Sequence, residues 1–236
     1  MGGVGIVVGK LGQAILEFVF PSRCVACGAD SAFLCDDCAA SLVQAKPPRC
    51  SGCWRPLPSG DRCTDCRAGG STLDGLRAAY VYGGVAREAV QSLKYRGITA
   101  LAAPMAGRLA NAARDYDLAV DVIVPVPLAG LRERTRGYNQ AAVLAQALGR
   151  ELRLPVRTHA LARSRNTPPQ ARSSDAQERR RNVAGAFRAR PSEIAQQRVL
   201  LVDDVTTTGA TLSACATALK EGGARSVWGL AFARED

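Results

Sequence analysis

The sequence has 236 residues, a formal net charge of +10 and nine cysteines, and 47% of its residues are hydrophobic. This length suits one ordinary domain plus a small module, and the apolar fraction is sufficient for a real core. The first twenty residues include Lys10 and Glu17 and do not form a clean secretory signal or transmembrane segment. We therefore expect an amphipathic N-terminal helix and a cytoplasmic protein without a membrane span.

Eight of the cysteines form four Cys-x-x-Cys pairs: Cys24/Cys27, Cys35/Cys38, Cys50/Cys53 and Cys63/Cys66. Such a turn holds two thiolates on one side, which is half of a tetrahedral zinc site, so the four pairs predict two structural Zn²⁺ sites. A disulfide framework would need an oxidising compartment, which nothing in the sequence indicates. The spacing allows both a sequential and a cross-braced pairing of the four halves, of which we favour the sequential.

A Gly- and Ser-containing linker near residues 67–73 divides the chain into a zinc-ribbon module (1–70) and a second domain (71–236). Apolar runs predict strands at 78–82, 120–124, 199–203 and 227–232. Helical patterns predict helices at 85–93, 101–114, 138–152 and 212–220, with Asn139 as a cap and the Gly222–Gly223 pair as a stop. This alternation predicts an α/β fold with a largely parallel sheet flanked by helices.

Positive charge is concentrated in residues 128–190, where fourteen arginines and no lysine face four acidic residues. The planar guanidinium suits bidentate contact with phosphate, so an anionic partner is indicated, either pyrophosphate or a nucleic-acid backbone. A general preference for arginine on solvated faces is the alternative. Between residues 162 and 182 the apolar periodicity vanishes, which indicates a lid that excludes water or an unstructured loop. The candidate lid residues are Arg163, Arg165, Gln170, Arg179 and Asn182.

The run from Val199 to Thr211 carries the strongest chemical signal, because a short apolar strand ends in Asp203 and Asp204 and leads into a hydroxyl-rich turn. In open α/β sheets ligands bind at the carboxyl ends of strands. Adjacent carboxylates there can accept hydrogen bonds from ribose hydroxyls, and the turn before a helix can wrap a phosphate. The candidate phosphate-binding residues are Thr206, Thr207, Thr208, Gly209, Ala210 and Thr211. Merely solvated acids or a simple metal site are the alternatives.

This run resembles the phosphoribosyl pyrophosphate (PRPP) signature of the type I phosphoribosyltransferases. Together with the cysteine module, the segment Arg136-Gly137-Tyr138-Asn139-Gln140 and residues 178–187, it makes nearly the whole chain resemble the ComF family of competence-associated proteins. The resemblance implies a type I phosphoribosyltransferase-like fold behind a zinc ribbon. It also implies a role in DNA uptake, at the inner face of the membrane, with single-stranded DNA, a competence helicase and other uptake proteins as partners.

Carried onto this chain, the resemblance makes Asp203 and Asp204 the catalytic acids that hold the ribose, with Mg²⁺ bridging ribose and pyrophosphate oxygens. The loop residues given above then cradle the 5-phosphate, and Leu128 and Arg132 match the pyrophosphate-loop position. One departure concerns Thr207, which stands where some purine-salvage members have an aspartate base. Threonine cannot take a proton at neutral pH, so the acceptor stays open.

Three functions follow from these patterns. The first is a Mg²⁺-dependent phosphoribosyltransferase with an unknown acceptor, and the second is a nucleic-acid-binding uptake component that retains PRPP binding. The third is a scaffold whose zinc ribbons dock a helicase, which leaves the two aspartates and the threonine turn unexplained. Any hood over an acceptor would come from the zinc module or from residues 74–100. For Tyr80, Tyr82 and Tyr95 in that segment, core packing is the expected role.

Overall fold

The computed structural model describes residues 22–30, 32–69, 71–164, 183 and 185–236, with the backbone alone for Leu131 and Arg132. The predicted N-terminal helix lies outside these ranges. So do four candidate lid residues, which are Arg165, Gln170, Arg179 and Asn182. Within the described ranges, every helix is too short or too polar to cross a bilayer.

Seven helices and six strands are defined in the described residues. The helices are α1 (Asp36–Ala40), α2 (Thr64–Arg67), α3 (Gly84–Tyr95), α4 (Ala102–Asp115), α5 (Gly130–Arg136), α6 (Gln140–Leu152) and α7 (Ala210–Glu221). The strands are β1 (Gly75–Val81), β2 (Val122–Pro125), β3 (Leu161–Arg163), β4 (Phe187–Ala189), β5 (Arg198–Thr206) and β6 (Ser226–Arg234). Single 3₁₀ turns occur at Thr99–Leu101 and Pro191–Glu193.

Four strands form one parallel sheet in the order β1-β6-β5-β2, which confirms the predicted α/β architecture. The two nine-residue strands, β5 and β6, lie at the centre, and their register places Asp203 opposite Ala231 and Thr206 opposite Arg234. The short strands β3 and β4 pair antiparallel as a separate hairpin that packs against α7. The carboxyl ends of β5 and β6 therefore meet at one edge of the sheet.

Side chains of β5 alternate between two buried clusters, one on each face of the sheet. Leu200 and Val202 belong to the cluster that includes residues of α3, α4 and α6. Val199 and Leu201 belong to the cluster that includes residues of α7. A strand covered on both faces must be apolar throughout, which explains the continuous apolar run in the sequence. Asn139 caps α6 as predicted, because its Oδ1 accepts hydrogen bonds from the N–H groups of Ala141 and Ala142.

Two features were not evident from the sequence patterns. Helix α5 is rich in arginine and lacks apolar periodicity, and it ends where Gly137 adopts a left-handed conformation (φ 82°). The β3–β4 hairpin has only three residues in each strand, which is too short to give an alternating pattern. Helix α5 adjoins the predicted pyrophosphate loop, and the hairpin flanks the predicted lid.

The zinc-ribbon module extends the sheet at its β1 edge. Residues 43–45 run antiparallel to β1: the Ala45 N–H donates to the Ala79 carbonyl at 3.0 Å, and the Val81 N–H donates to the Val43 carbonyl at 2.8 Å. These hydrogen bonds satisfy backbone groups of an edge strand that would otherwise be open to other chains. The module is therefore part of the sheet's architecture as well as a metal-binding unit.

Buried arginines fasten the module to the rest of the chain. The Arg234 guanidinium, at the end of β6, donates to the Cys53 carbonyl at 2.7 Å. Arg49 donates to both oxygens of the Asp236 carboxylate at 2.7 Å. The Arg77 guanidinium on β1 lies 4.4 Å from the ring of Trp54, within cation–π range. These contacts couple the second half of the module to the sheet.

Two helical glycines provide a matched test of this packing. A Cβ at Gly149 in α6 would lie 2.4 Å from Val156 Cγ2, whereas a Cβ at Gly107 in α4 would meet nothing within 4 Å. We expect Gly149→Ala to lower the free energy of unfolding by about 1–3 kcal/mol through overpacking. Gly107→Ala should raise it by about 0.5–1 kcal/mol, because alanine is the better helix former. Urea denaturation measures the free energy of unfolding of both variants. A change in the same direction for both substitutions would contradict this packing.

Candidate functional site

The eight paired cysteines form two compact clusters. Cys24, Cys27, Cys35 and Cys38 make one, and Cys50, Cys53, Cys63 and Cys66 make the other, with all sulfurs of a cluster within 4.8 Å of one another. The pairing is sequential, as favoured from the sequence, and the cross-braced alternative is wrong. Sulfur–sulfur distances of 3.6 Å (Cys27–Cys35) and 3.7 Å (Cys53–Cys63) match the roughly 3.8 Å expected around a tetrahedral Zn²⁺. Both clusters fit structural zinc.

The same local structure builds each cluster. One Cys-x-x-Cys turn is followed by a residue with positive φ, Gly28 in the first cluster and Trp54 in the second. The other pair begins at the residue before a short helix, Cys35 before α1 and Cys63 before α2. Trp54 is an unfavourable residue for this conformation, but its Nε1–H donates to the Ala45 carbonyl at 3.1 Å, which helps to hold it there.

Hydrogen bonds from backbone amides stabilise the thiolate form of one cysteine in each cluster. Burial alone would raise the pKa of Cys24, but hydrogen bonds from the backbone of Cys35, Cys27 and Ala26 outweigh it and lower the pKa to about 6. The pKa of Cys50 is likewise lowered to about 6, against the effect of its burial, by hydrogen bonds from the backbone of its own cluster. The thiolate is the form that binds metal, so each cluster holds a metal-ready ligand at neutral pH.

The acidic pair lies near the carboxyl end of β5 and divides between the two faces of the sheet. Successive side chains of a strand point to opposite faces. Asp204 shares its face with Leu200 and Val202, toward α3, and is only 2% exposed. Asp203 shares its face with Val199 and Leu201, toward α7. The two carboxylates therefore straddle the end of the strand and can engage different parts of one ligand.

Each carboxylate is partly satisfied by the backbone. Asp203 Oδ1 accepts a hydrogen bond from the Asp204 N–H at 2.9 Å, and Asp204 Oδ1 accepts one from the Val205 N–H at 2.8 Å. The second oxygen of Asp204 is buried and receives no backbone N–H from the described residues, but it pairs with the ammonium of Lys94. A ligand hydroxyl or a cation at this oxygen would compete with that ion pair.

Lys94 at the end of α3 is the counter-ion of the acidic pair. Its Nζ lies 3.0 Å from Asp204 Oδ2. Burial of the Lys94 ammonium opposes its charge, but attraction to Asp204 and Asp203 outweighs burial and raises the pKa of Lys94. The sequence did not single out this contact, since the two partners are far apart in the chain. The only available signal was that Lys94 is one of four lysines in an arginine-rich sequence.

The hydroxyl-rich turn forms the start of α7. Gly209 adopts a left-handed conformation (φ 77°) immediately before the helix, and Thr208 Oγ1 accepts a hydrogen bond from the Ala210 N–H at 3.3 Å. Thr207 and Thr211 are partly exposed beside this turn, while Thr206 is the buried last residue of β5. Backbone N–H groups at the start of a twelve-residue helix form a favourable environment for a phosphate.

The segment predicted as a pyrophosphate loop connects β2 with α5. Leu128 lies in this connection and is partly buried, whereas Arg132 belongs to α5. Two hydrogen bonds hold the connection against its neighbours, from the Val126 N–H to the Val202 carbonyl (2.9 Å) and from Asn139 Nδ2 to the Val126 carbonyl (3.0 Å). The segment thus lies next to β5 and its acidic end.

The candidate lid starts from the β3–β4 hairpin. Arg163 ends β3, and its guanidinium lies 5.4 Å from the ring of Phe187 at the start of β4. Because the hairpin packs against α7, its two strands lie beside the helix that follows the threonine turn. Of the five candidate lid residues, Arg163 is the one that the structure describes.

Family comparisons agree with this arrangement. Residues 15–67 match the double zinc ribbon domain, and residues 96–232 match the phosphoribosyl transferase domain. The described sheet, the acidic strand end and the two cysteine clusters thus define a phosphoribosyltransferase-type domain preceded by a double zinc ribbon.

Among individual proteins, competence protein F of Haemophilus influenzae is 33% identical over 224 residues, covering 85% of this chain and 97% of that protein. Competence protein ComFC of Bacillus subtilis is 29% identical over 200 residues, covering 80% and 79%. The chain belongs to the ComF family of competence proteins. The DNA utilization protein YhgH of Escherichia coli K12 is 39% identical over 107 residues, covering 45% and 46%.

Among solved structures, the glutamine PRPP amidotransferase of B. subtilis, complexed with ADP and GMP, aligns with a TM-score of 0.42 and 17% identity. The alignment covers 60% of this chain and 30% of that chain.

The acidic pair predicts a characteristic pH dependence of stability. Burial, followed by the adjacent Asp204 carboxylate, raises the pKa of Asp203 well above its usual value. A raised folded-state pKa gives stability that is present below the unfolded pKa of about 4 and is lost as the pH rises toward the folded value. Asp203→Asn removes this loss and keeps an oxygen for the Asp204 N–H. In Mg²⁺-free buffer we expect its thermal midpoint to exceed that of wild type, more at about pH 8 than at about pH 5.

Asp115→Asn is the matched control, because Asp115 is exposed at the end of α4. Its midpoint should follow wild type across the same pH range. If the thermal midpoint of Asp203→Asn differs from that of wild type by the same amount at both pH values, the pKa of Asp203 is not raised.

Proposed function

We propose that the protein binds PRPP with Mg²⁺ at the carboxyl end of β5 and acts in DNA uptake during natural competence, where it contacts single-stranded DNA. The observation that carries the PRPP assignment is the juxtaposition of two carboxylates with a threonine turn at the start of α7. A ligand that uses both halves has neighbouring hydroxyls and a phosphate, as a phosphorylated pentose does. The zinc clusters stabilise the fold, and the proposed place of action is the cytoplasm, with uptake proteins such as a helicase as partners.

The residues present suit Mg²⁺ and PRPP. Mg²⁺ prefers oxygen ligands and is commonly held by one or two carboxylates together with substrate phosphates. Asp203 and Asp204 supply these oxygens, and a cation at Asp204 Oδ2 would take over the charge compensation that the Lys94 ammonium gives at 3.0 Å. Asp203 and Asp204 would hold the ribose and the ion, and the residues from Thr207 to Thr211 would hold the 5-phosphate. The bound ion would neutralise charge on the pyrophosphate.

The DNA assignment has a different basis. The curated relatives with the longest alignments are named as competence proteins, and a shorter relative is named as a DNA utilization protein. The chain carries a net charge of +10, with the excess in residues 128–190. Arginines on a surface attract a polyanion, and phosphate contacts supply much of the affinity for nucleic acid.

The second candidate function is an active phosphoribosyltransferase for an unknown acceptor, such as a nucleobase, without a direct DNA role. It is favoured by the β3–β4 hairpin, since a lid that starts beside α7 would exclude water from the site. Thr207 at the base position argues against the purine-salvage mechanism. Release of pyrophosphate from PRPP in the presence of an acceptor would favour this function.

Calorimetry tests the PRPP site directly. We expect wild type to bind PRPP in a Mg²⁺-dependent manner. Asp203→Asn/Asp204→Asn should weaken binding by about a hundredfold or more, because each carboxylate makes charge-assisted interactions worth about 1.5–3 kcal/mol. The control is Asp115→Asn/Asp117→Asn, which removes two exposed charges between α4 and β2, at the amino edge of the sheet. Equal affinity of the two double variants for PRPP would contradict a PRPP site at the end of β5.

Salt dependence tests the contact with DNA. We expect the affinity of wild type for a fluorescent oligothymidylate to fall steeply with salt, with a log–log slope of about −0.7 for each phosphate contacted. Arg134→Gln, on exposed α5, should reduce the magnitude of this slope by about 0.7 if Arg134 contacts one phosphate. Fluorescence anisotropy between about 50 and 200 mM salt measures both slopes. A slope of zero for wild type would overturn the DNA contact and leave the PRPP assignment standing.

A further inference from the structure

Tyr95 is an exposed aromatic residue beside the acidic pair. It is the last residue of α3, and its side chain is 75% exposed. Among the described residues, Val43 (65%) is the other large apolar residue with comparable exposure. The prediction that the tyrosines of residues 74–100 pack in the core is therefore wrong for Tyr95, whereas Tyr80 packs against Phe232 with ring centroids 5.2 Å apart. Contact between a large ring and water is unfavourable in free energy, and a partner that covers the ring would remove this contact.

Arg136 accompanies this ring. Its Cζ lies 5.2 Å from the Tyr95 ring centroid, within cation–π range. The same guanidinium donates a hydrogen bond to Oε1 of Gln140, a residue that is only 6% exposed. The hydrogen bond to Gln140 fixes the orientation of the Arg136 guanidinium. The ring and the guanidinium therefore form one preorganised surface of two planar groups.

The position of this surface relative to the acidic pair is fixed by neighbouring contacts. The Tyr138 hydroxyl donates to the Leu93 carbonyl, which ties the turn after α5 to the end of α3. Lys94, between Leu93 and Tyr95, contacts Asp204 with Nζ 3.0 Å from Oδ2. Tyr95 is therefore the chain neighbour of the counter-ion of the acidic pair, and Arg136 and Tyr138 adjoin the same end of α3.

The chemistry of the surface specifies its occupant. A single ring flanked by arginines lacks the broad apolar area that a protein or lipid partner would need. Helix α5 carries Arg132, Arg134 and Arg136 against Glu133, so its sequence has a net positive charge. An exposed aromatic ring within a basic surface is the arrangement by which proteins bind single strands, with bases stacked on the ring and phosphates beside the cations.

We propose that Tyr95 and Arg136 form a stacking platform for a base of single-stranded DNA. The proposal rests on the DNA contact in the proposed function and locates it on the molecule. The Tyr95 ring stacks on one base with the face opposite Arg136, while Arg136 lies over the other face and contacts the adjoining phosphate. Because the platform adjoins Lys94, the strand passes beside the proposed PRPP site.

The test compares a fluorescent oligothymidylate with an abasic strand of the same length. We expect Tyr95→Ala to weaken binding of the oligothymidylate by about tenfold, the usual effect of removing one stacking ring. Tyr95→Phe should bind within about twofold of wild type, since it keeps the ring. Val43→Ala is the matched control, because Val43 is also exposed but lies on the zinc-ribbon module. It should leave the affinity unchanged.

The abasic strand separates stacking from charge. Tyr95→Ala should bind it as wild type does, because it offers phosphates but no base. Equal losses on both strands, or no loss on the oligothymidylate, would overturn the platform while leaving the DNA contact intact. A wild-type protein that binds neither strand would overturn both. Circular dichroism of Tyr95→Ala and its retained affinity for the abasic strand would show that the variant is folded.

Discussion

Placing two adjacent carboxylates at the end of a central, doubly covered strand is the constraint on which the rest of this structure depends. Charge at such a position is costly, because burial removes water from Asp204 and the neighbouring carboxylate repels Asp203. The chain offsets part of the cost with two backbone N–H groups and with Lys94. The proposed ligand would offset the remaining cost by supplying positive charge or hydroxyl donors.

Side chains of a β-strand alternate between the two faces of the sheet, and this alternation separates the two carboxylates. Asp204 points toward α3 and Asp203 toward α7, so each carboxylate is positioned by a different layer of the fold. The turn from Thr207 to Gly209 then leads the chain into α7, which covers the Asp203 face of the sheet. The site is therefore assembled from both faces of the sheet, and it depends on both helical layers being packed correctly.

Local sequence patterns predicted the parts of the molecule whose determinants are close in the chain. The β5–turn–α7 unit, the cap at Asn139 and the four Cys-x-x-Cys turns each occupy a short span, and the structure contains all of them. The contact between Lys94 and Asp204 depends on tertiary packing, which no local pattern encodes. Spacing alone also left the cysteine pairing open, because either arrangement brings two turns together.

Tyr95 is a residue whose burial was predicted wrongly. Its neighbours Val90 and Leu93 are fully buried, so an aromatic residue in this helix is expected to pack inward. Tyr95 is two residues after Leu93, however, which places it about 200° around the helix. Its ring therefore lies on the opposite face, against Arg136. Residue type alone predicts burial of a tyrosine, whereas exposure at this position follows from the face of the helix on which the residue lies.

The pairing of residues 43–45 with β1 has a consequence for metal supply. A chain without zinc would lose the clusters that shape its N-terminal module, and the β1 backbone would then be exposed as an unpaired edge. Open edges recruit other strands, so metal shortage would appear first as self-association of otherwise folded molecules. Zinc in this architecture would therefore help to keep the β1 edge covered, while Cys53 and Cys66 of the second cluster line a pocket shared with Thr208 and Gly209.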